Sequence, residues 1–389
     1  MFSQVYAMRL SVFAAAAFLL ILGGPSTRAQ DFETAAPFAI LVDADTGSLL
    51  LEKNADEPMA PASMAKLMTI ELAFHAIEEG RLSLDDTFSV SENAWRRGGA
   101  PSGGSTMFLE LNSTARLEDL LRGIIIQSGN DASIVLAEGM AGTEIAFADM
   151  MNKRAQEIGL KNSRFMNASG LPDPDQHVTA RDLAILARHI IQDYPEFYPI
   201  FAEPDFTWHN ITQRNRNPLL NDGIGVDGLK TGHTEESGYG LVASAKVNTQ
   251  RLIVVVNGLK SSREREAESR KLLEWGFRSF RQITAFEDGE TVGEASLFGG
   301  EKGRVALKAR GAVRVLVPRA STEPLRARIA YQGPVEAPVE AGVQVGHLQV
   351  WQDDRLIQET PLYTAEAVAR GPLHRRAFDA LTELVFGWI

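Results

Sequence analysis

The chain has 389 residues, 44 % of them hydrophobic and 23 % charged, a formal net charge of −11 and no cysteine. That is globular composition with enough length for two folded units, and the acidic balance gives no electrostatic footprint for binding nucleic acid. Lack of cysteine excludes disulfides, thiolate metal sites and a cysteine nucleophile, and is compatible with export.

In chain order, the first feature is an uninterrupted run of apolar and small residues from Leu10 to Leu22. Arg9 precedes it, Gly23-Gly24-Pro25 breaks it, and Ala29 stands just ahead of Gln30. A run of about thirteen residues is short for crossing a bilayer but suits the core of a signal peptide, so residues 1–29 are expected to direct export and be removed. A buried core helix is the alternative. Phe38-Ala-Ile-Leu-Val-Asp and Ser48-Leu-Leu-Leu-Glu-Lys flank Asp45-Thr46-Gly47 and read as a β-hairpin. Pro61 then favours a helix start, with apolar residues at Met64, Leu67, Met68, Leu72 and Ile77 and a stop at Gly80.

The first turn of that helix holds Ser63-Met64-Ala65-Lys66, the one Ser-x-x-Lys in the chain. Spacing of three puts Ser63 and Lys66 on one helix face. The helix N-terminus offers a positive dipole end and free N–H groups where an oxyanion would form. A serine hydroxyl is inert at neutral pH without a base, and a lysine with a depressed pKa can be that base.

Leu117, Leu120, Leu121, Ile124 and Ile125 repeat at helical spacing, and a second helix is predicted from about Ala132 to Met140. Ser128-Gly129-Asn130 falls in the loop between them. A hydroxyl there could relay a proton to a leaving amine, and an amide could hold a substrate carbonyl. Ser91-Glu92-Asn93 repeats the Ser-x-Asn pattern but follows a short strand-like run. Further helical pattern covers about 144–158 and 179–192.

The period then changes. Gly240 to Val247 and Arg251 to Val256 read as strands joined by a short turn, and Lys230-Thr231-Gly232 sits just before them. An edge strand there would need Gly232 to let a peptide lie close. Lys230 would supply positive charge for a carboxylate and, beside Lys66, lower that amine's pKa. Glu264 to Phe280 is helical again. Strands at both ends with helices between them predict an α+β fold, an antiparallel sheet carrying a helical subdomain.

After about Thr284, short strand-like segments alternate with Gly and Pro, which predicts a small β-rich domain. From Leu373 to Ile389, Ala377, Phe378, Leu381, Leu384, Val385 and Trp388 share a helical face, with Arg370, His374, Arg375 and Arg376 at its start. Such a helix suits a membrane surface; a terminal helix docked on the protein is the alternative.

Together, Ser63-x-x-Lys66, Ser128-Gly129-Asn130 and Lys230-Thr231-Gly232 match the set shared by class A β-lactamases and penicillin-binding proteins. From about Pro37 onward the chain resembles the low-molecular-mass penicillin-binding proteins, specifically the D-alanyl-D-alanine carboxypeptidases. The likeness is strongest at Ser63-Met-Ala-Lys-Leu-Met-Thr, Ser128-Gly-Asn-Asp-Ala, Val226-Asp-Gly-Leu-Lys-Thr-Gly-His-Thr and Arg265-Glu-Ala-Glu-Ser. It implies a penicillin-binding, β-lactamase-like catalytic domain over 30–283 with a five-stranded sheet, a β-rich domain over 284–370, and an amphipathic membrane-associating helix over 371–389.

The resemblance also implies roles. Ser63 would be the acylated nucleophile, Lys66 its general base, and Ser128 the relay to the departing amine. Asn130 would orient the substrate amide. Lys230, Thr231, Gly232 and Arg265 would form the carboxylate-binding side, and N–H groups of Ser63 and His233 the oxyanion hole. No metal or cofactor is implied. The expected partners are the peptidoglycan stem pentapeptide, β-lactams as covalent inhibitors, and the inner-membrane surface, with the enzyme in the periplasm. Without the resemblance, the run around Arg265 reads as a solvated helix start.

A β-lactamase and a non-catalytic penicillin-sensing or wall-binding protein are the competing readings. A class A β-lactamase needs a glutamate for deacylation, and residues 160–172 contain no acid. A non-catalytic protein would have no need of Ser63, Lys66, Ser128 and Lys230 together. The same acyl-enzyme could also serve a transpeptidase or an endopeptidase.

Overall fold

A computed structural model describes residues 32–352, 355–377 and 380. By contacts the chain divides into Met1–Glu33 and Thr34–Ile389; all that follows belongs to the second unit. The predicted signal peptide lies outside the described residues.

The predicted hairpin forms as β1 (Phe38–Asp43) and β2 (Leu49–Lys53). A helical lobe follows: α1 (Lys66–Glu78), the small pair β3 (Thr87–Ser89) and β4 (Thr114–Arg116) flanking α2 (Glu92–Gly98), then α3 (Leu117–Ile125), α4 (Asn130–Ala141), α5 (Glu144–Ile158) and α6 (Ala180–Asp193). After the hairpin β5 (Asp205–Trp208) and β6 (Ile211–Arg214), the chain returns to the sheet as β7 (Val226–Thr234), β8 (Gly238–Val247) and β9 (Gln250–Leu259). Helix α7 (Ser262–Ser279) closes the domain.

The five strands pair antiparallel in the order β2-β1-β9-β8-β7. Leu252 to Val256 of β9 are all fully buried, because α6 and α7 both pack on this strand. A strand covered on both faces reads as a continuous apolar run rather than an alternating one. Gly276 permits the close approach of α7: a Cβ there would stand 2.6 Å from Leu252 and 2.9 Å from Leu41. Ser261 caps that helix by accepting from the Glu264 N–H. Within the helical lobe, α1 is tied to α5 and α6 through the fully buried Glu71, which accepts from Arg154, His189 and Tyr194.

The β-rich part follows without a linker. Strand β10 (Phe280–Phe286) starts where α7 stops, so the boundary predicted at 283/284 falls inside a strand. No Gly or Pro marks the junction of Ser279 and Phe280, and the helical pattern runs straight into the strand. Strand β10 pairs with β13 (Val313–Pro318). The remaining strands are β11 (Gly293–Phe298), β12 (Arg304–Lys308), β14 (Leu325–Tyr331), β15 (Val335–Glu336), β16 (Gln344–Gln352) and β17 (Arg355–Thr364). They form a six-stranded sheet in the order β14-β16-β17-β12-β11-β15. Leu307, Val315, Leu348, Val350 and Leu362 are buried in its core.

Residues 373–377 are helical and Leu373 is exposed. Phe378, Leu381, Leu384, Val385 and Trp388 of the predicted amphipathic face lie outside the described residues. Among the described residues no helix is long and apolar enough to cross a membrane.

Candidate active site

Ser63 lies in a short 3-10 turn, Ala62–Ala65, that leads into α1. The sequence predicted the first turn of an α-helix. The tighter winding matters, because residues three apart eclipse in a 3-10 turn, and the Lys66 amine comes within 3.0 Å of the Ser63 hydroxyl oxygen. Ala62, just before the serine, has φ of 45°, a region that residues with a Cβ rarely adopt. Met64, Leu67 and Met68 are fully buried and anchor the turn.

Lys66 is itself fully buried. Its amine contacts the side-chain oxygen of Asn130 at 2.7 Å and the main-chain carbonyl of Ser169. A charged ammonium would donate to all three oxygens. A neutral amine has two N–H donors for Asn130 and Ser169, and a lone pair to accept the Ser63 proton. Burial is the main force moving Lys66 toward neutrality, the Arg216 charge adds to it and Asp131 opposes it, and the pKa falls from 10.5 to about 7. The sequence pointed to burial and Lys230 as the depressing influences; Lys66 and Lys230 each disfavour a charge on the other, and Arg216 is a further cation that the sequence did not single out. Burial pushes Lys230 well down too, followed by the charges of Lys66, Arg216 and Arg265.

The α3–α4 connection brings in the second triplet. Ser128 adopts φ of 60° and is buried; its hydroxyl accepts from the Lys230 amine at 2.8 Å. Asn130 is the first residue of α4, two positions earlier than predicted. Asn and Asp read as loop formers, but the Asp131 carboxylate is satisfied mostly from outside the helix. It accepts from the Thr106 hydroxyl at 2.6 Å and the N–H groups of Met107 and Leu109 at 2.8 and 3.0 Å, and from Ala132 at 2.9 Å. Those bonds pin the segment that carries Ser105 beside the triplet. The decoy at Ser91 is structural: Ser91 caps α2 and donates to Glu138.

Lys230, Thr231, Gly232 and His233 lie on β7, which is an edge strand of the sheet. Gly232 serves the nucleophile turn as well as an open edge. A Cβ there would stand 3.0 Å from both Met64 Cγ and the Pro61 carbonyl, and one at its partner Gly240 would stand 2.6 Å from Met64 Cε. The glycine pair therefore makes room for Met64 directly behind Ser63.

A cleft of about 390 Å³ opens between β7 and the α3–α4 loop, lined by Ser63, Ser105, Ser128, Arg216, His233 and Arg265 among others. Lys66, Asn130 and Lys230 stand just behind this lining. Arg265, at the start of α7, is 8 % exposed, and its Nε has no hydrogen-bond partner. Its guanidinium lies 5.7 Å from the Tyr239 ring centroid, and that ring is 3.9 Å from the His233 ring. Burial lowers the Arg265 pKa, against opposing effects of Tyr239 and Glu266. With Arg216 and Arg265 in its lining and no carboxylate there, the site is built to receive an anion. No group of side chains that could hold a metal occurs among the described residues.

Sequence reasoning missed Arg216 and Ser105, which are bonded to each other at 2.5 Å. Both sit in irregular segments without periodicity or motif. It also missed the segment around Ser169. There the Asn167 side chain accepts from the N–H groups of Ser169 and Gly170, and the turn presents a main-chain carbonyl to Lys66. A class A β-lactamase would have a glutamate in this segment; here none is present. Gly170 has φ of 75°, and a Cβ on it would stand 1.9 Å from the Ala62 carbonyl oxygen. No rotamer relieves a clash with backbone. Gly170→Ala is therefore expected to destabilise the protein by about 2 kcal/mol or more and to displace the Ser63 turn. A wild-type melting temperature for that variant would contradict this packing.

A family model described as D-alanyl-D-alanine carboxypeptidase matches residues 25–261, and one described as the C-terminal domain of penicillin-binding protein 5 matches residues 280–370. The D-alanyl-D-alanine carboxypeptidase DacD of Salmonella typhimurium is 39 % identical over 343 residues, which is 87 % of this chain and 88 % of that one. The D-alanyl-D-alanine carboxypeptidase DacC of Escherichia coli is 38 % identical over 391 residues, 98 % of each. The crystal structure of penicillin binding protein 5 from Haemophilus influenzae has a TM-score of 0.79 at 39 % identity, covering 87 % of this chain and 98 % of that chain. Similarity of this extent, running through the helical lobe, the sheet and the β-rich part alike, makes the chain a member of the D-alanyl-D-alanine carboxypeptidase family of penicillin-binding serine hydrolases.

Proposed function

We propose that the enzyme removes the terminal D-alanine from peptidoglycan stem pentapeptides through an acyl-ester on Ser63. The observation that carries this is the Lys66 amine, 3.0 Å from the Ser63 oxygen and about half neutral at pH 7. Neutral Lys66 takes the Ser63 proton as the oxygen attacks the carbonyl of the penultimate D-alanine. The N–H groups of Ser63 and His233 hold the developing oxyanion. The peptide bond breaks as the proton that Lys66 took from Ser63 passes through Ser128, which is bonded to Lys230, to the departing amine, and Lys66 is neutral again. Water then attacks the ester with Lys66 again accepting a proton, which frees Ser63 and releases the shortened peptide. Asn130 orients the substrate amide, while Thr231, Lys230 and Arg265 receive the terminal carboxylate. The test is release of free D-alanine from a pentapeptide ending in D-Ala-D-Ala with an equal amount of tetrapeptide formed; a transpeptidase would release D-alanine but yield joined peptides, and an endopeptidase would release none.

Because only neutral Lys66 can act as the base, the acylation rate should rise with pH through about 7 and level off above it. At pH 5 about 1 % of the amine is free, so acylation should be roughly 100-fold slower than on the plateau. A flat rate from pH 5 to 8 would contradict Lys66 as base. Separately, Arg265→Ala should cut kcat/KM for the free-acid peptide by about 10- to 100-fold, the worth of a charge-assisted hydrogen bond. Equal turnover of free-acid and C-terminally amidated peptides by the wild type would refute the carboxylate role.

The placement we propose is outside the cytoplasmic membrane, with residues 1–29 as the export signal and the tail holding the enzyme at the membrane surface. Large apolar side chains of the tail contribute about 1.5–3 kcal/mol each on full burial. Deleting 372–389 should move the enzyme to the soluble fraction with its small-peptide activity unchanged. If the full-length chain never sediments with membranes, the tail docks on the protein instead.

A further inference from the structure

Strand β8 opens with Gly238-Tyr239-Gly240, a single side chain between two glycines. Its pairing with β9 slips at this point. Tyr239 stands opposite Leu259 and Leu241 opposite Val256, so β9 carries one extra residue between them. A bulge of this kind re-aims a side chain, and bulges gather beside active sites. On the other side, Tyr239 is directly opposite His233 of β7, so the two side chains share a face of the sheet. Gly232 and Gly240, one position along on each strand, pair on the opposite face, where Met64 lies. Arg265 of α7 reaches the face with the two rings, its guanidinium 5.7 Å from the Tyr239 ring centroid.

Arg265 has no carboxylate partner among the described residues, although α7 carries glutamates on both sides of it. Glu264 accepts from the Lys260 N–H at 2.8 Å, Glu266 lies 3.6 Å from Arg270, and Glu268 accepts from the Thr34 hydroxyl at 2.7 Å. A guanidinium as buried as this one needs a compensating partner. The group set against it is the Tyr239 ring, within the range at which a cation and an aromatic face attract.

We propose that Tyr239 is a positioning residue that sets specificity: its ring holds the Arg265 guanidinium ready for the substrate's terminal carboxylate, and so favours a free C-terminus over an amide. This rests on the carboxylate role given to Arg265 above. A ring attracts the cation without accepting its N–H bonds, so the donors at the cleft stay available to the incoming anion. A glutamate in the same place would occupy those donors and repel the substrate. Lacking either partner, the long side chain would have to be ordered anew each time a substrate binds.

The preference is read as the ratio of kcat/KM for a pentapeptide ending in D-Ala-D-Ala to that for its C-terminal amide, both followed by tetrapeptide formation. A ratio taken on one preparation cancels a loss of folded protein. In Tyr239→Leu the ratio should fall by about 3- to 30-fold, through the free-acid peptide and not the amide. Tyr239→Phe keeps the ring and should keep the ratio. In an Arg265→Ala background Tyr239→Leu should cause no further fall, because no guanidinium is left to position. Tyr239→Met supplies the same reading should the leucine variant not fold. An unchanged ratio in both aliphatic variants, alongside a reduced one in Arg265→Ala, would overturn the role of Tyr239 and leave that of Arg265 standing. A ratio in Tyr239→Phe as low as in Tyr239→Leu, or a further fall in the double variant, would overturn it too. If the wild type turns over both peptides alike, the carboxylate role of Arg265 fails and this one with it.

Discussion

Ser63→Ala should abolish covalent labelling by penicillin and reduce D-alanine release by about 10⁶-fold, the loss seen when the nucleophile of a catalytic unit is removed from a serine hydrolase. The other members of that unit lose their purpose with it, because a base at Lys66 has no proton to take and a relay at Ser128 has no amine to protonate. The fold should survive. Ser63 is only half-buried, and its side chain has one bond, from Lys66. Asn130 and Ser169 still satisfy that amine. Reversible binding of the peptide should persist as well, since the cationic side of the cleft is untouched. Equilibrium binding of a D-Ala-D-Ala peptide alongside turnover separates the two effects. Turnover within tenfold of wild type would mean that another group is the nucleophile.

Lys66→Arg should slow acylation by about 10²- to 10⁴-fold, the usual contribution of a positioned general base. Arginine keeps the positive charge but does not give up its proton in a protein, so the variant tests proton acceptance apart from charge. The pocket is demanding, because Lys66 is fully buried among Ser63, Asn130 and Ser169. A thermal melt must accompany the rate. If the variant melts like wild type and its acylation has the same pH dependence as wild type, Lys66 is not the base and the rise through pH 7 belongs to another group.

How far the sequence could be read depended on how local each signal was. Ser63 and Lys66 are one turn apart, so their meeting follows from helix geometry. Lys230 and Ser128 are far apart in sequence, and only the order of the motifs, and the family they resemble, brought them into one site. The hairpin at Phe38 to Lys53 and the apolar run of β9 were legible from periodicity and turn residues. Other features were set by tertiary partners and left no local mark. Helix α4 starts at Asn130 because residues 106–109 satisfy Asp131 from outside. Gly232 is required by Met64 across the sheet edge. Arg216 reaches the cleft from an irregular segment after β6, with nothing in its neighbours to single it out. Strand β10 could not be separated from α7 because no Gly or Pro lies between them.

Mass spectrometry of the protein after brief exposure to penicillin tests most directly whether Ser63 forms the acyl-enzyme. One penicilloyl group per chain should be found, on the proteolytic peptide that contains Ser63, and it should be absent from protein incubated first with excess D-Ala-D-Ala peptide and quenched at once. An adduct on any other residue, or none at all from a folded protein, would contradict it.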